Sequence, residues 1–332
     1  MIIKTQAYAR AGLLGNPSDI YYGKTISIIV KNFSASIILY ESPELCIESQ
    51  EEDINKFKNV HDLVDKVRSH GYYGGSRLVK ATIKKFYEYC KEKEIKIHNK
   101  NFTIRYFSSI PRQVGLAGSS AIITATMRAL MKFYNINILK DYLPTLILSV
   151  EKEELGIRAG LQDRVAQVYE GCVYMDFNKD HMEKKGYGIY EPLDISKLPN
   201  LYIAYKTDLS KISGAVLNDT YARYLNGDKL VIDTIARIAE IAVEGKKAIM
   251  DRDYEKLKKL MNENFDNRRK IMNISQSNIE MIEIARSCGA SAKFPGSGGS
   301  IIGIYDNDDV LAKLIVNLKK INVRVIKPYI SN

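Results

Sequence analysis

The chain is poor in the residues that build metal centres and covalent cross-links. Its 332 residues hold four cysteines and four histidines. Cys46, Cys90, Cys172 and Cys288 lie far apart with no CxxC pair, which argues for reduced thiols and against disulfides or a zinc site. His61, His70, His98 and His181 show neither HxxxH nor HExxH spacing, so no transition-metal centre is expected. No apolar run reaches the roughly 18 to 20 residues that span a bilayer. The start, MIIKTQAYARAGLLG, lacks the pattern of a signal peptide. These absences predict a soluble, cytoplasmic protein. A Walker A loop is missing too. Ser18 stands where the first glycine ahead of Gly23-Lys24-Thr25 belongs, and that GKT runs into a strand-like segment.

What remains is globular material, 45% hydrophobic and 27% charged, with a net charge of +10. A basic surface attracts anions, nucleic acid among them. The lysines and arginines are interleaved with acids, however, as in residues 84–96, which reads as solvated helix faces. No RRM, KH or basic-aromatic stripe is present, so neither nucleic acid nor membrane is expected as a partner.

Hydrophobic periodicity predicts strands at 5–10 and 25–40, the latter divided by a hairpin turn at Lys31-Asn32. Helices are expected at 60–70 and 76–93, then a strand at 101–107 leading to Pro111. Further helices follow at 119–134, 143–154 and 161–169, a strand at 171–177, and a connector at 182–199. The second half reads as a strand at 201–206, helices at 214–225, 230–250, 253–263 and 275–288, and two strands near 300–305 and 323–327 around a helix at 307–320. The expected class is α+β with two lobes, residues 1–195 and 196–332.

Three segments carry chemistry. In Pro111–Ala121, PRQVGLAGSSA, Gly115 and Gly118 allow a tight backbone turn, and Ser119 and Ser120 open a helix whose N–H groups suit phosphate. The same pattern equally describes a serine cap after a glycine loop. Residues 151–164, EKEELGIRAGLQDR, offer Glu151 and Asp163, one carboxylate for Mg²⁺ and one for an attacking hydroxyl. Alone, Asp163 also reads as an ordinary acid in a helix first turn. The third segment, KFPGSGGSIIGIY (293–305), puts Gly296, Gly298 and Gly299 before an apolar strand.

Occurring together and in this order, these segments resemble the motifs of the GHMP kinase superfamily, and ARAGLLGNPSD (9–19) looks like its first motif. Within the superfamily the chain is most similar to the glucuronokinases, through GLLGNPSD (12–19), GYYGGSRL (71–78), IPRQVGLAGSSAI (110–122), GLQDRVAQVY (160–169), MDF (175–177), NFDNRR (264–269) and KFPGSGG (293–299). The resemblance implies an N-terminal lobe of the ribosomal protein S5 domain 2 type, a ferredoxin-like C-terminal lobe, and a site between them for ATP, Mg²⁺ and a small sugar or uronic acid. It assigns Pro111, Gly115, Leu116, Ala117, Gly118, Ser119, Ser120 and Ala121 to the nucleotide, Ser120 and Glu151 to Mg²⁺, and Asp163 and Arg10 to catalysis. Asp19, Arg158, Tyr73, Gly296, Gly298 and Gly299 fall to the substrate.

Two departures stand out. The second motif is one residue longer than the commonest GLGSSA form, leaving open which serine meets the metal. Pro295 replaces a hydroxyl residue of plant glucuronokinases. The implied reaction is phosphorylation of the anomeric hydroxyl of D-glucuronate by ATP. Arabinose, galactose, galacturonate or a heptose derivative is the alternative acceptor, and a silent sugar sensor is a further one. A carboxylate on the acceptor favours a guanidinium. Arg77, Arg112, Arg158 and Arg164 are the arginines nearest the motifs, each also readable as a surface ion pair. Monomer and homodimer are both compatible with the sequence.

Overall fold

A computed structural model describes residues 1–48, 75–207 and 216–331. The helix expected at 60–70 and the residue Tyr73 lie outside the described residues.

The chain begins with two long antiparallel strands, β1 (Ile2–Leu14) and β2 (Lys24–Glu41), joined through a short 3-10 turn at Ser18–Tyr21. Gly23-Lys24-Thr25 leads into β2, not into a helix. The far edge of β2 is shared: residues 35–41 pair with β4 (Phe102–Ser108) and residues 24–28 with β5 (Cys172–Asp176). Short β3 (Cys46–Glu48) and β6 (Ile189–Leu193) complete the sheet at its two ends. Two expectations need correction. There is no hairpin at Lys31-Asn32: β2 runs on through a bulge opposite Tyr8 and Ala9. The last residues of the chain serve that bulge, since Lys31 N donates to Tyr329 O at 2.8 Å and Asn32 exchanges bonds with Lys327 O and Tyr329 N. The presumed connector 182–199 holds the edge strand β6, where Pro192 is tolerated because an edge residue can lack a ladder donor.

Helix α1 (Gly75–Glu92) and the apolar α2 (Gly118–Tyr134) cover one face of this sheet. Next come α3 (Leu143–Ser149), continued by a widened π turn over Val150–Glu154, then α4 (Gln162–Tyr169) and the small α5 (Lys179–Lys185). β1 alternates buried and exposed residues at its start and is wholly buried from Ala9 on. The change marks where a second layer begins: α7 (Lys229–Asp251) packs so closely that a Cβ on Gly245 would lie 2.0 Å from Leu14 Cδ1.

The second half is a three-stranded antiparallel sheet, β8 (Ser300–Ile304), β7 (Leu201–Lys206) and β9 (Val323–Ile326). It carries α6 (Val216–Leu225), α7, α8 (Tyr254–Ile271), α9 (Gln276–Ser287) and α10 (Asp308–Lys319). The two faces of β7 serve different cores. Leu201, Ile203 and Tyr205 join the core of the first sheet, while Tyr202 and Ala204 face Phe265, Met281 and Leu314. Helix α8 runs eight residues beyond the expected end at 263, because Asn264, Asn267 and Arg268 are buried polar residues inside it. Among the described residues no helix is long and apolar enough to cross a membrane.

Candidate active site

A cleft of about 530 Å³ opens where the two halves meet. Its floor on one side is the loop before α2. Gln113, Gly115 and Ala117 all have positive φ, at 57°, 72° and 62°. Left-handed residues at alternate positions are a backbone pattern that can gather N–H groups into an anion nest. Ala117, not a serine, precedes the helix, and no side chain caps its first turn. The helix therefore presents free N–H donors and the positive end of its dipole to the cleft. From α4, Gln167 donates to Ala117 O at 3.0 Å and fixes the turn.

The serines diverge. Ser119 lines the cleft, and its hydroxyl donates to Glu151 Oε1 at 2.9 Å. Ser120 is buried, donates instead to Ala117 O at 3.1 Å, and does not line the cleft. Glu151 lies on the π turn, a widening frequent at functional sites. It is 1% exposed and in contact with the Arg164 guanidinium.

The acidic centre is built from three distant segments. Asp163, in the first turn of α4, is ion-paired with Arg10 through Oδ1, while Oδ2 lies 3.4 Å from Arg164 Nη1. Arg10 also donates to Pro295 O. Asp19, on the 3-10 turn, accepts from Gln162 N at 3.3 Å. Gly160 lies against its carboxylate, where a Cβ would stand 1.9 Å from Oδ2. Asp19 is raised to about 6, first by lost solvation and then by the neighbouring charge of Asp163.

The C-terminal half contributes the loop 293–299. A Cβ on Gly296 would fall 2.1 Å from Gly115 O, so the two glycine loops meet backbone to backbone. Pro295 acts through its carbonyl, which accepts from Gly12 N at 2.9 Å and from Arg10. Lys293 is wholly buried and donates to Gly12 O, Asn16 Oδ1 and Phe294 O. Burial holds its ammonium well below the ordinary range, with Arg268 and Arg10 adding to the shift.

Two family models match this chain, the GHMP kinases N terminal domain over residues 77–171 and the GHMP kinases C terminal model over 246–323. Glucuronokinase 1 of Arabidopsis thaliana is 46% identical over 306 residues, covering 90% of this chain and 84% of that one. The chain belongs to the GHMP kinase family. Probable glucuronokinase 2 of the same plant is 48% identical over 308 residues, covering 91% and 84%. The galactokinase of Lactococcus lactis, solved with galactose, superimposes with a TM-score of 0.78 over 99% of this chain and 93% of that one, at 16% identity, a likeness of fold.

Among the residues expected in the site of this GHMP kinase, Arg10, Asp19, Pro111, Gly115, Leu116, Ala117, Gly118, Ser119, Glu151, Arg158, Asp163 and Gly296 all line the cleft. Ser120 and Ala121 are buried in α2, and Gly298 and Gly299 stand behind the cleft, Gly299 N donating to Asn278 Oδ1 at 3.3 Å. Of the arginines considered for a carboxylate, Arg112, Arg158 and Arg164 line the cleft, and Arg77 instead donates to Leu155 O at 3.3 Å. Arg158 lies over the Tyr221 ring at 4.6 Å, and Tyr221 packs on Tyr21. Sequence reasoning did not single out Asn16, Gln162 or Arg268, all of which line the cleft. The signal for Arg268 was present in NFDNRR, a polar run inside a helix that still has to bury.

Proposed function

We propose that this GHMP kinase transfers the γ-phosphoryl group of ATP to the anomeric hydroxyl of D-glucuronate, yielding D-glucuronate 1-phosphate and ADP. One observation carries the reading: Asp163, Glu151, Ser119 and the nest at 113–117, distant in sequence, line a single cleft. Identities of 46% and 48% to two glucuronokinases support the choice of acceptor. The nest and the α2 N-terminus receive the ATP phosphates, with backbone N–H groups fixed before the nucleotide arrives. Asp163, oriented by Arg10 and Arg164, takes the proton of the anomeric hydroxyl as its oxygen attacks the γ-phosphorus. The bond to the bridging oxygen breaks and its electron pair stays on ADP. Arg10 offsets negative charge at the transferred group. Asp19 accepts hydrogen bonds from sugar hydroxyls.

Ser119 Oγ and Glu151 Oε1 are hard oxygen donors 2.9 Å apart beside the phosphate nest, a pair that fits Mg²⁺, which takes one or two protein oxygens alongside phosphates. We assign the ion to Ser119 and Glu151 in preference to Ser120. When bound, it would neutralise charge on the phosphate oxygens. A lobe division near residue 195 is part of the same proposal.

The test is turnover of glucuronate, galacturonate, glucose, galactose and arabinose with Mg-ATP. D-Glucuronate is expected to give the highest kcat/KM. A neutral sugar turning over faster would overturn the acceptor, and folded protein inert toward all five would overturn the kinase reading.

A further inference from the structure

A guanidinium withdrawn from water needs an anion or a full set of acceptors. Two buried arginines at this cleft have an anion. Arg10 is committed to Asp163 and Pro295 O, and Arg164 to Glu151, Asp163 and Gly160 O. Arg158 and Arg112 are exposed, so water solvates them.

Arg268 differs. It is 4% exposed, projects from α8 and lines the cleft, yet among the described residues it has no ion pair. Nη1 donates to Gly296 O at 2.7 Å, and Nε lies 3.2 Å from Met272 Sδ, a weak acceptor. Of the five guanidinium hydrogens, those two contacts use two, leaving three: one on Nη1 and both on Nη2. The Phe294 ring, 5.4 Å from the guanidinium carbon, and the Gly296 carbonyl hold the group in place. The acid that acts on it is Asp19, on the acceptor side, beyond ion-pair distance. Burial pushes Arg268 down to about 10, so it stays charged at neutral pH with no carboxylate in ion-pair contact among the described residues.

We propose that Arg268 recognises the carboxylate of a uronic acid acceptor, with its remaining Nη1 and Nη2 hydrogens donating to the two carboxylate oxygens. A pre-oriented planar fork suits a carboxylate, and an ammonium cannot reproduce two parallel bonds. The inference rests on the uronate reading above and names the side chain that enforces it.

The experiment compares D-glucuronate with D-glucuronamide, which keeps the ring and removes the charge, for the wild type, Arg268→Gln and Arg268→Lys. The readouts are the ratio of the two kcat/KM values and the KM for ATP. The wild type is expected to favour glucuronate about 100-fold, in the range lost when a buried charge pair is broken. In R268Q the ratio should fall to about 1, and in R268K to about 10, with the KM for ATP held within about threefold. An unchanged ratio in R268Q, or a loss shared equally by both acceptors, would overturn the assignment. A rise in the KM for ATP alone would also overturn it, by pointing to the γ-phosphate. If thermal melting shows R268Q unfolded, R268K is judged by the same ratio. A wild type indifferent to the acceptor's charge would instead sink the uronate reading, and that outcome is visible before any variant is made.

Discussion

The two sides of the cleft are made differently. The side proposed for phosphate is mostly backbone: three left-handed residues, an uncapped helix N-terminus, and a glycine loop pressed on a glycine loop. The side proposed for the acceptor is side chains, with Arg10, Asp19, Asp163 and Arg268 drawn from segments up to 258 positions apart (268 − 10). A backbone site recognises a group common to all nucleotides and tolerates little change of shape. A side-chain site can be rewritten residue by residue, so specificity belongs there.

This contrast can be broken or sharpened by substitution. The largest effect should come from Asp163→Asn, which keeps the shape and removes the basic carboxylate. We expect kcat to drop about 10³-fold with the KM for ATP little changed. Near-wild-type turnover would remove Asp163 as the base.

Gly296→Ala strikes the backbone side. Its methyl meets the Gly115 carbonyl, which cannot swing away, so the loops must part. The KM for ATP should rise about tenfold or more, and the melting temperature should fall by the equivalent of about 2 kcal/mol. An effect confined to the sugar would contradict the division of labour.

The two adjacent serines allow a finer cut. Ser119→Ala should raise the Mg²⁺ concentration for half-maximal activity about tenfold, measured by metal titration at saturating ATP. Ser120→Ala should leave that value within about twofold and cost on the order of 1 kcal/mol of stability, for the lost bond to Ala117 O. The reverse ranking would return the metal to Ser120.

The smallest effect concerns pH. With Asp19 raised to about 6 by desolvation and by Asp163, kcat/KM for the sugar should fall as pH drops through about 6. Asp19→Asn should erase that limb. Stability runs the other way. The folded value exceeds the ordinary 3.8, so the folded state holds this proton more tightly. The stabilisation is present at low pH and is lost as pH rises from about 4 through 6. The substitution should flatten this component in denaturant midpoints measured across that window.

The turn and helix start at 113–118 were largely legible in the sequence because glycine and helix-start chemistry are local. Gly115 did mark a left-handed position, although its neighbour in that conformation is Ala117 and not Gly118. The orientation of the serines was not legible, since one residue along a helix turns a side chain by about 100°. Most strands and helices followed from periodicity, whereas the short β3, β6 and α5 did not. Helix α8 was cut short because Asn264, Asn267 and Arg268 look like a solvated end, and only tertiary placement makes them buried. The bulge in β2 was misread as a turn, since Lys31-Asn32 gives no sign that residues almost 300 positions later will bond to it.

That late bond has a consequence for how the chain becomes a protein. The strand pair β1–β2 is synthesised well before Tyr329 and Lys327, which satisfy the polar groups of its bulge. A ribosome-bound nascent chain must hold that kink open, or hydrated, until residues 327–329 emerge. The N-terminal half released by a single cut would carry the same unfinished edge, and adding the C-terminal half back in trans should close it.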